Sequence, residues 1–498
     1  MTRQFHRGDK RHSEVLKVQR TELVRDNAVL IDGAWVAADR GDTLEVRNPA
    51  NGDLVGRVPY MGQAETQRAV EAAARAMRHD APLEQRRGWI QRIGDLLVEH
   101  QEMLGEIITL EHGKPLREGI AEVQYAAGFF HFFASCLDEL QPRRYPEKLR
   151  GCQWEVHHRP AGVVASITPW NFPIGMMAKK VPAALGCGCG VVAKPASATP
   201  LSAVAFASIV EKADVPAGMF NVVTGSASRI SQVICQHPEV RIISFTGSTE
   251  VGRELGAATA PHIKRLAMEL GGNAPFIVFA DADLDLAAEA LVANKFRGAG
   301  QTCVCTNRVY VHRDVEPEFT ARVAELAENL RVGDGLDPAT DIGPLINRAG
   351  FDKVVQHVRD ALDGGASLVV GSIPSTPEND WGCFFPPTVI TNVEPRMLVC
   401  RDETFGPLVA ISRFDDEAEV LRKANDTEYG LAAYVCTSDP DRAKRVAAGL
   451  SFGHVGINTG MSPTPELPFG GMKQSGYGRE GGVEGLLEFC EVQTIVRS

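Results

Sequence analysis

Apolar and polar positions divide the chain into three kinds of stretch. Residues 28–60 alternate short apolar runs with the turns Asp32-Gly33 and Asn51-Gly52, which predicts hairpins. From about Ala64 to Phe133 apolar residues recur at helical spacing among Ala, Leu, Glu and Arg, which predicts helices. Residues 152–161 (CQWEVHHRPA) read as a strand; His157 and His158 then face opposite ways and cannot share one metal ion. From Gly162 the pattern changes to strand–loop–helix units. Strands are predicted at Gly162 to Thr168, Cys189 to Ala193, Phe220 to Val223 and Arg241 to Phe245, and helices at Met176 to Leu185, Ser202 to Lys212 and Thr249 to Ala258. A second α/β region runs from about Gly272 to Pro468, with helical periodicity at 284–295, 317–330, 351–363, 417–424 and 441–449 and strands at Val369-Val370 and Tyr434-Val435.

Strands alternating with helices of this length predict parallel sheets covered on both faces, here in two lobes with a cleft between them. Ligands of such sheets bind beyond the carboxyl ends of the strands. Four predicted strand ends carry notable residues: Thr168-Pro-Trp-Asn171, Lys194-Pro-Ala-Ser197, Thr224-Gly225-Ser226 and Phe245-Thr-Gly-Ser248.

The length of 498 residues calls for two or three domains. A net charge of -11 argues against a nucleic-acid partner. The sequence holds no apolar run of roughly 18 residues, so no membrane span is expected. Eleven cysteines at irregular spacing, with no C-x-x-C pair, weaken zinc and thioredoxin-type readings and any disulfide framework, and the expected compartment is the cytoplasm. The first 22 residues mix basic side chains with acids and lack a secretory apolar centre, so they read as a solvated tail.

Chemistry concentrates in FRGAGQTCVCTNR, Phe296 to Arg308. Gly298 and Gly300 free the backbone there, placing Cys303 on a tight turn between two helix-like segments. Phe245-Thr-Gly-Ser-Thr249 leaves a strand and opens a helix, as an anion site or as a plain cap. The one G-x-G-x-x-G, Gly476 to Gly481, follows a polar loop and is a weak dinucleotide signal. Asn171 offers an amide for an oxyanion, or an Asx turn. Glu269 lies in an apolar strand, where burial raises a carboxyl towards a useful base. Lys194 is placed to reach a ribose or phosphate, or merely a surface acid.

Taken together, PWNFP (169–173), KPAS (194–197), FTGS (245–248), ELGG (269–272), GQTC (300–303), ETFGP (403–407) and PFGG (468–471) resemble, in order, the motifs of the NAD(P)-dependent aldehyde dehydrogenases. The resemblance runs from about residue 25 to the C-terminus. It implies an α/β fold of two Rossmann-like parallel-sheet lobes with a small β oligomerisation element. Residues 23–141 and 162–270 would bind NAD(P), 271–468 would carry catalysis, and 142–161 with 486–498 would make dimers or tetramers, 469–485 returning to the cofactor domain. It also implies Cys303 as nucleophile, Asn171 with the Cys303 N–H as oxyanion hole, and Glu269 as general base. Lys194 and Glu403 would hold the riboses, Gly247 and Ser248 the pyrophosphate, and Phe405 the nicotinamide, with Thr168, Pro169, Trp170, Ala196, Ser197, Gly225, Phe245 and Leu270 completing the cofactor site.

Members favouring NAD commonly carry Glu where this chain has Ser197, so NADP is the expected cofactor, with NAD accepted. FRGAGQTCVC and GGMKQSGYGREGG resemble succinate-semialdehyde dehydrogenases in particular. Arg297 would then bind the substrate's distal carboxylate; a plain structural ion pair is the alternative. Lys179 stands where a second Arg is expected, keeping the charge but losing the bidentate fork. Ser462 or Thr464 would add a hydroxyl, and Phe469 belongs to the same site. Cys305 matches members that form a reversible disulfide with the nucleophile, an inert neighbour being the alternative. The competing functions are another aldehyde (glutarate or 2-oxoglutarate semialdehyde, or an uncharged one), a CoA-acylating semialdehyde dehydrogenase, and a cysteine hydrolase.

Overall fold

The computed structural model describes residues 22–146, 151–461 and 463–498. Two short antiparallel ribbons, Val29–Ile31 with Ala34–Val36 and Thr43–Arg47 with Leu54–Pro59, precede the helices Gln63–Ala76, Leu83–Glu99, Gln101–His112 and Leu116–Cys136. Gln63–Ala76 packs on the first sheet, the other three helices pack on one another, and the sheet's six strands run in the order Gly476–Tyr477, Arg265–Glu269, Val240–Thr246, Val163–Ile167, Val191–Lys194, Phe220–Val222. All pairs are parallel except the first. The strands are rich in Val and Ile and almost wholly buried, as a sheet covered on both faces requires.

Register does the positioning. Ile167 pairs with both Lys194 and Phe245, Ala193 with Val222, and Thr246 with Glu269, so the four sequence-predicted strand ends, and Glu269 with them, finish on one edge. Beyond that edge the chain crosses to a second sheet of seven strands, ordered Ser367–Val370, Thr388–Thr391, Leu408–Phe414, Thr306–His312, Ala274–Val278, Ala432–Cys436, His454–Ile457, with only the first pair antiparallel. A third sheet, Cys490–Arg497, Gln153–Pro160 and Arg143–Tyr145, is antiparallel and leaves Val492, Val496 and Tyr145 exposed.

Three local expectations are corrected. The expected single helix Met176 to Leu185 is two, Pro173–Ala178 and Val181–Cys187, because Pro182 in the first turn of the second helix has no N–H to continue the first. Lys179 and Lys180 sit at the break. The segment after Cys303 is the strand Thr306–His312 rather than a helix; a short buried apolar run carries no periodicity to tell the two apart. Ala227–Gln236 is a helix that the pattern reading left without an element. The GYGREG glycines are also accounted for: Gly476 (φ 112°) pairs with Glu269 at the sheet's edge. Among the described residues no helix is long and apolar enough to cross a membrane.

The crossing between lobes is tight. Gly272 donates its N–H to Glu403 (3.0 Å), and a Cβ on it would lie 2.3 Å from the carbonyl oxygen of Cys303. We expect Gly272→Ala to lower stability by about 1–3 kcal/mol through overpacking, read as a lower Tm together with reduced turnover. Unchanged Tm and turnover would contradict this packing.

Candidate active site

The helix Leu284–Phe296 starts on an Asp283 cap and ends at Arg297, where ψ swings to 132°. Gly298, Ala299 and Gly300 then take φ of 56°, 57° and 74°, three left-handed residues in succession. An alanine at such an angle costs about 1–2 kcal/mol, and backbone strain of this sort persists only where its surroundings over-determine it. They do so here. The Gly298 N–H donates to Glu118 (2.8 Å), Gln301 Nε2 to the Gly298 carbonyl (3.0 Å), and the Ile346 N–H to Gln301 Oε1 (2.9 Å). Asn171 Nδ2 donates to the Gln301 carbonyl (3.0 Å), and the buried Tyr434 hydroxyl to the Val304 carbonyl (2.7 Å). Cys303 emerges from this turn half-buried.

Two cavities meet at Cys303, which among the described residues is the one lining residue they share. The larger, about 660 Å³, lies beyond the strand ends of the first sheet. Thr168, Pro169, Trp170, Asn171, Lys194, Ala196, Ser197, Phe245, Gly247, Ser248, Leu270, Glu403 and Phe405 all line it. Ser248 caps the helix Thr249–Thr259, accepting from the Val251 N–H (3.3 Å), so the helix N-terminus faces the space. The Trp170 and Phe405 rings meet edge to face at 5.5 Å. Lys194 donates to the Pro195 carbonyl (3.1 Å), and burial lowers its pKa. Burial pushes Glu403 up to about 7, against the Gly272 N–H and two lysines. The buried Thr168 hydroxyl has no protein partner, so it fits a ligand's polar group. A helix N-terminus, a lysine, a carboxyl and an aromatic wall fit a nicotinamide dinucleotide.

The smaller cavity, about 280 Å³, is lined on the other side of the thiol by Tyr125, Phe172, Met176, Lys179, Arg297, Thr302 and Phe469, with Glu118 and Glu122. The Lys179 ammonium lies 3.8 Å from the Phe469 ring centre and 3.7 Å from Glu480 Oε2; the Arg297 guanidinium lies 5.6 Å from the Phe172 ring. Glu122 is occupied by Lys114 (2.8 Å) and by the Ile174 and Gly175 N–H groups. Burial works against the Lys179 charge, yet Tyr125, Glu480, Cys303 and Glu269 lift it above the ordinary lysine value, so it stays an ammonium.

Burial pushes the Cys303 thiol up to about 12, with Lys179 pulling it down. Glu269 is also raised well above the carboxylate range, by burial first and then by repulsion from Glu480, and its Oε2 is buried without a hydrogen bond. It lines neither cavity; it ends the strand just before Leu270, within electrostatic reach of Cys303 and Lys179. Cys305 is buried, its thiol donating to the Gly300 carbonyl (3.1 Å) and lying 3.5 Å from Lys295 Nζ.

Two expected contacts are corrected. Gly225 is not on the wall of the large cavity: at φ 115° it lies against the Met61 backbone, where a Cβ would sit 2.3 Å from nitrogen, and Ala227 and Ser231 of the following helix line the space instead. Thr464 is exposed and outside the small cavity, its hydroxyl turned to Glu466. Ser462 lies outside the described residues, as does the tail up to residue 21.

Sequence reasoning missed Tyr125, Lys353, Lys180 and Glu480. Lys180 pairs with Glu480 and donates to Thr246 (2.7 Å), so Glu480 joins the first sheet to the group around Glu269. Tyr125 and Lys353 sit inside long helices whose apolar faces mask them; a doubled lysine at the start of an apolar helix was the one signal available for Lys180.

The model of the aldehyde dehydrogenase family matches residues 35–495. Succinate-semialdehyde dehydrogenase [NADP(+)] of Escherichia coli is 46% identical over 484 residues, covering 96% of this chain and 99% of that protein. Glutarate-semialdehyde dehydrogenase of Pseudomonas aeruginosa is 45% identical over 486 residues, with 96% and 99% coverage. The crystal structure of an oxidoreductase from Marinobacter aquaeolei superposes with a TM-score of 0.93 at 54% identity, covering 96% of this chain and 99% of that one. A cysteine on the wall of two cavities, on a fold and sequence shared over nearly the whole length, leads to one conclusion: the chain belongs to the aldehyde dehydrogenase family.

Proposed function

We propose that this protein oxidises a short carboxylate-bearing semialdehyde, of the succinate-semialdehyde type, to the acid with NADP, NAD being accepted. The observation that carries the reading is the position of Cys303 on the wall of both cavities. A substrate entering the small cavity and a dinucleotide in the large one then meet only at that sulfur.

An aldehyde carbon must become tetrahedral before it can lose hydride, and the Cys303 sulfur makes it so. A thiol pushed up to about 12 is almost wholly protonated at neutral pH, so its proton leaves as the bond forms, with Lys179 favouring the anion. Asn171 is fixed through its bond to the Gln301 carbonyl; its second amide hydrogen, with the Cys303 N–H, stabilises the oxyanion. A dinucleotide held by Lys194, Ser248, Glu403 and Phe405 would supply the hydride acceptor. The thioester left on Cys303 is hydrolysed by water from which Glu269 removes a proton; burial makes its carboxylate a stronger base than one in water, and its Oε2 has no hydrogen bond. Such a base argues against the CoA-acylating alternative.

Cofactor choice rests on Ser197 and Lys194. Among the described residues Glu403 is the one acid on the large cavity's wall, against Lys194 and Lys353, and a hydroxyl at 197 brings no repulsion to a 2′-phosphate. Substrate choice rests on Arg297 and Lys179, two cations facing one small cavity. Related proteins named for succinate and glutarate semialdehydes differ in substrate by one methylene, a distinction worth only about 1–3 kcal/mol. The first lobe serves as cofactor domain and the second as catalytic domain. The three-stranded sheet, with exposed apolar residues and an open edge, makes dimers or tetramers.

Glu269 acts as a base only when deprotonated, so turnover should fall as pH drops through its raised pKa. Glu269→Gln should cut kcat by roughly 10²–10⁴ and abolish that acid limb in a kcat–pH profile; a limb that survives would move the base elsewhere. Arg297→Ala should raise KM for succinate semialdehyde by roughly ten- to a hundredfold, the loss of about 1.5–3 kcal/mol from one charged hydrogen-bonding group, and leave an uncharged aldehyde little affected. Equal effects on both aldehydes, in a panel run with NADP and with NAD, would dismiss the carboxylate clamp.

A further inference from the structure

A second pair of cysteines lines a cavity other than the two that meet at the nucleophile. Cys187 ends the helix Val181–Cys187, and Cys490 opens the C-terminal strand Cys490–Arg497. They are 303 residues apart, yet their sulfurs are 3.2 Å apart, both buried. The contact is held from both sides. The helix Gly482–Leu487 packs on Val181–Cys187, the Cys187 thiol donates to the Leu486 carbonyl (3.2 Å), and the neighbouring Cys189 thiol donates to the Phe489 carbonyl (3.3 Å).

The pair is not sealed off. Cys187 and Cys490 both line a cavity of about 770 Å³ under the three-stranded sheet, together with Arg86, Trp89, His157 and His158. Arg86 donates to the Gly186 carbonyl (2.8 Å), and Arg265 donates to the Cys490 carbonyl (2.8 Å), so two guanidinium groups flank the sulfurs. Their charges, after the hydrogen bond with Cys187, hold the Cys490 thiol below its ordinary range, whereas burial pushes Cys187 well up. One sulfur is thus the nucleophile and the other its partner in waiting.

We propose that Cys187 and Cys490 are a site of oxidative modification, closing to a disulfide when a hydroperoxide enters the cavity. The Cys490 thiolate attacks the peroxide oxygen, the O–O bond breaks, and the departing hydroxide takes a proton to leave as water. The Cys187 sulfur then attacks the resulting sulfenic sulfur, and its thiol proton leaves with the displaced hydroxide as a second water. Two thiols and one hydrogen peroxide give one disulfide and two waters. The bond would tie the base of the three-stranded sheet to the first lobe and enclose the whole second lobe in one covalent loop, constraining the unfolded chain.

The test is non-reducing peptide mapping of the full-length chain carrying Cys303→Ala and Cys305→Ala, before and after hydrogen peroxide. The expected result is a cross-linked peptide pair holding Cys187 and Cys490, two hydrogens lighter than its parts, with an upward shift in Tm; dithiothreitol reverses both. Cys187→Ser or Cys490→Ser, in an otherwise natural chain, should lose the cross-link and the Tm shift while aldehyde turnover of the reduced protein is unchanged. Both thiols intact, a link through Cys189 instead, or Cys490 oxidised to sulfinic acid without a link would overturn the proposal. The mapping decides the matter even if a serine variant fails to fold.

Discussion

Three left-handed residues in a row, Gly298, Ala299 and Gly300, are the constraint on which the rest of the site depends. They turn the chain out of one helix and deliver Cys303 to the gap between two sheets, where a regular element would have carried it into the core. Gly300 has no alternative, because a Cβ there would lie 2.3 Å from the Gly406 carbonyl oxygen. The turn is stiff because hydrogen bonds from several distant segments converge on it: Glu118 from an early helix, Asn171 from the first sheet's edge, Ile346, and Tyr434 from the second sheet. A loop held by both lobes keeps its sulfur in register with both cavities, which is what a two-substrate reaction at one atom requires.

The electrostatics around that sulfur follow from burial. Taking Cys303 and Glu269 out of water disfavours negative charge on each, while Lys179 and Lys180, both paired with Glu480, bring positive charge from the break between two short helices. The thiol must therefore lose its proton as it reacts, and the carboxylate of Glu269 is a stronger base than one in water. The same burial sets Glu403 near neutrality and lowers Lys194, so the acid on the large cavity's wall is only partly charged.

Much of this was legible in the sequence. Turn and strand-end motifs are local, and parallel pairing brings strand ends to one edge, so PWNFP, KPAS, FTGS and ELGG converge without further information. What was not legible depends on packing between distant segments. Gly225 looks like the other strand-end glycines but is used for a close approach to Met61. Thr464 shares a loop with cavity residues yet turns outward. Tyr125, Lys353 and Glu480 come from helices and a C-terminal turn whose sequence spacing says nothing of the sites they reach. The 3.2 Å approach of Cys187 and Cys490 is of the same kind, since spacing alone cannot pair residues 303 positions apart.

The most direct test of the account asks whether the acyl group passes through Cys303. With deacylation slowed by Glu269→Gln, the protein mixed with succinate semialdehyde and NADP and quenched in acid should gain the mass of one succinyl group, mapped by peptide mass spectrometry to Cys303 and released by hydroxylamine. NADPH formed at full burst with Cys303 unmodified would contradict the account.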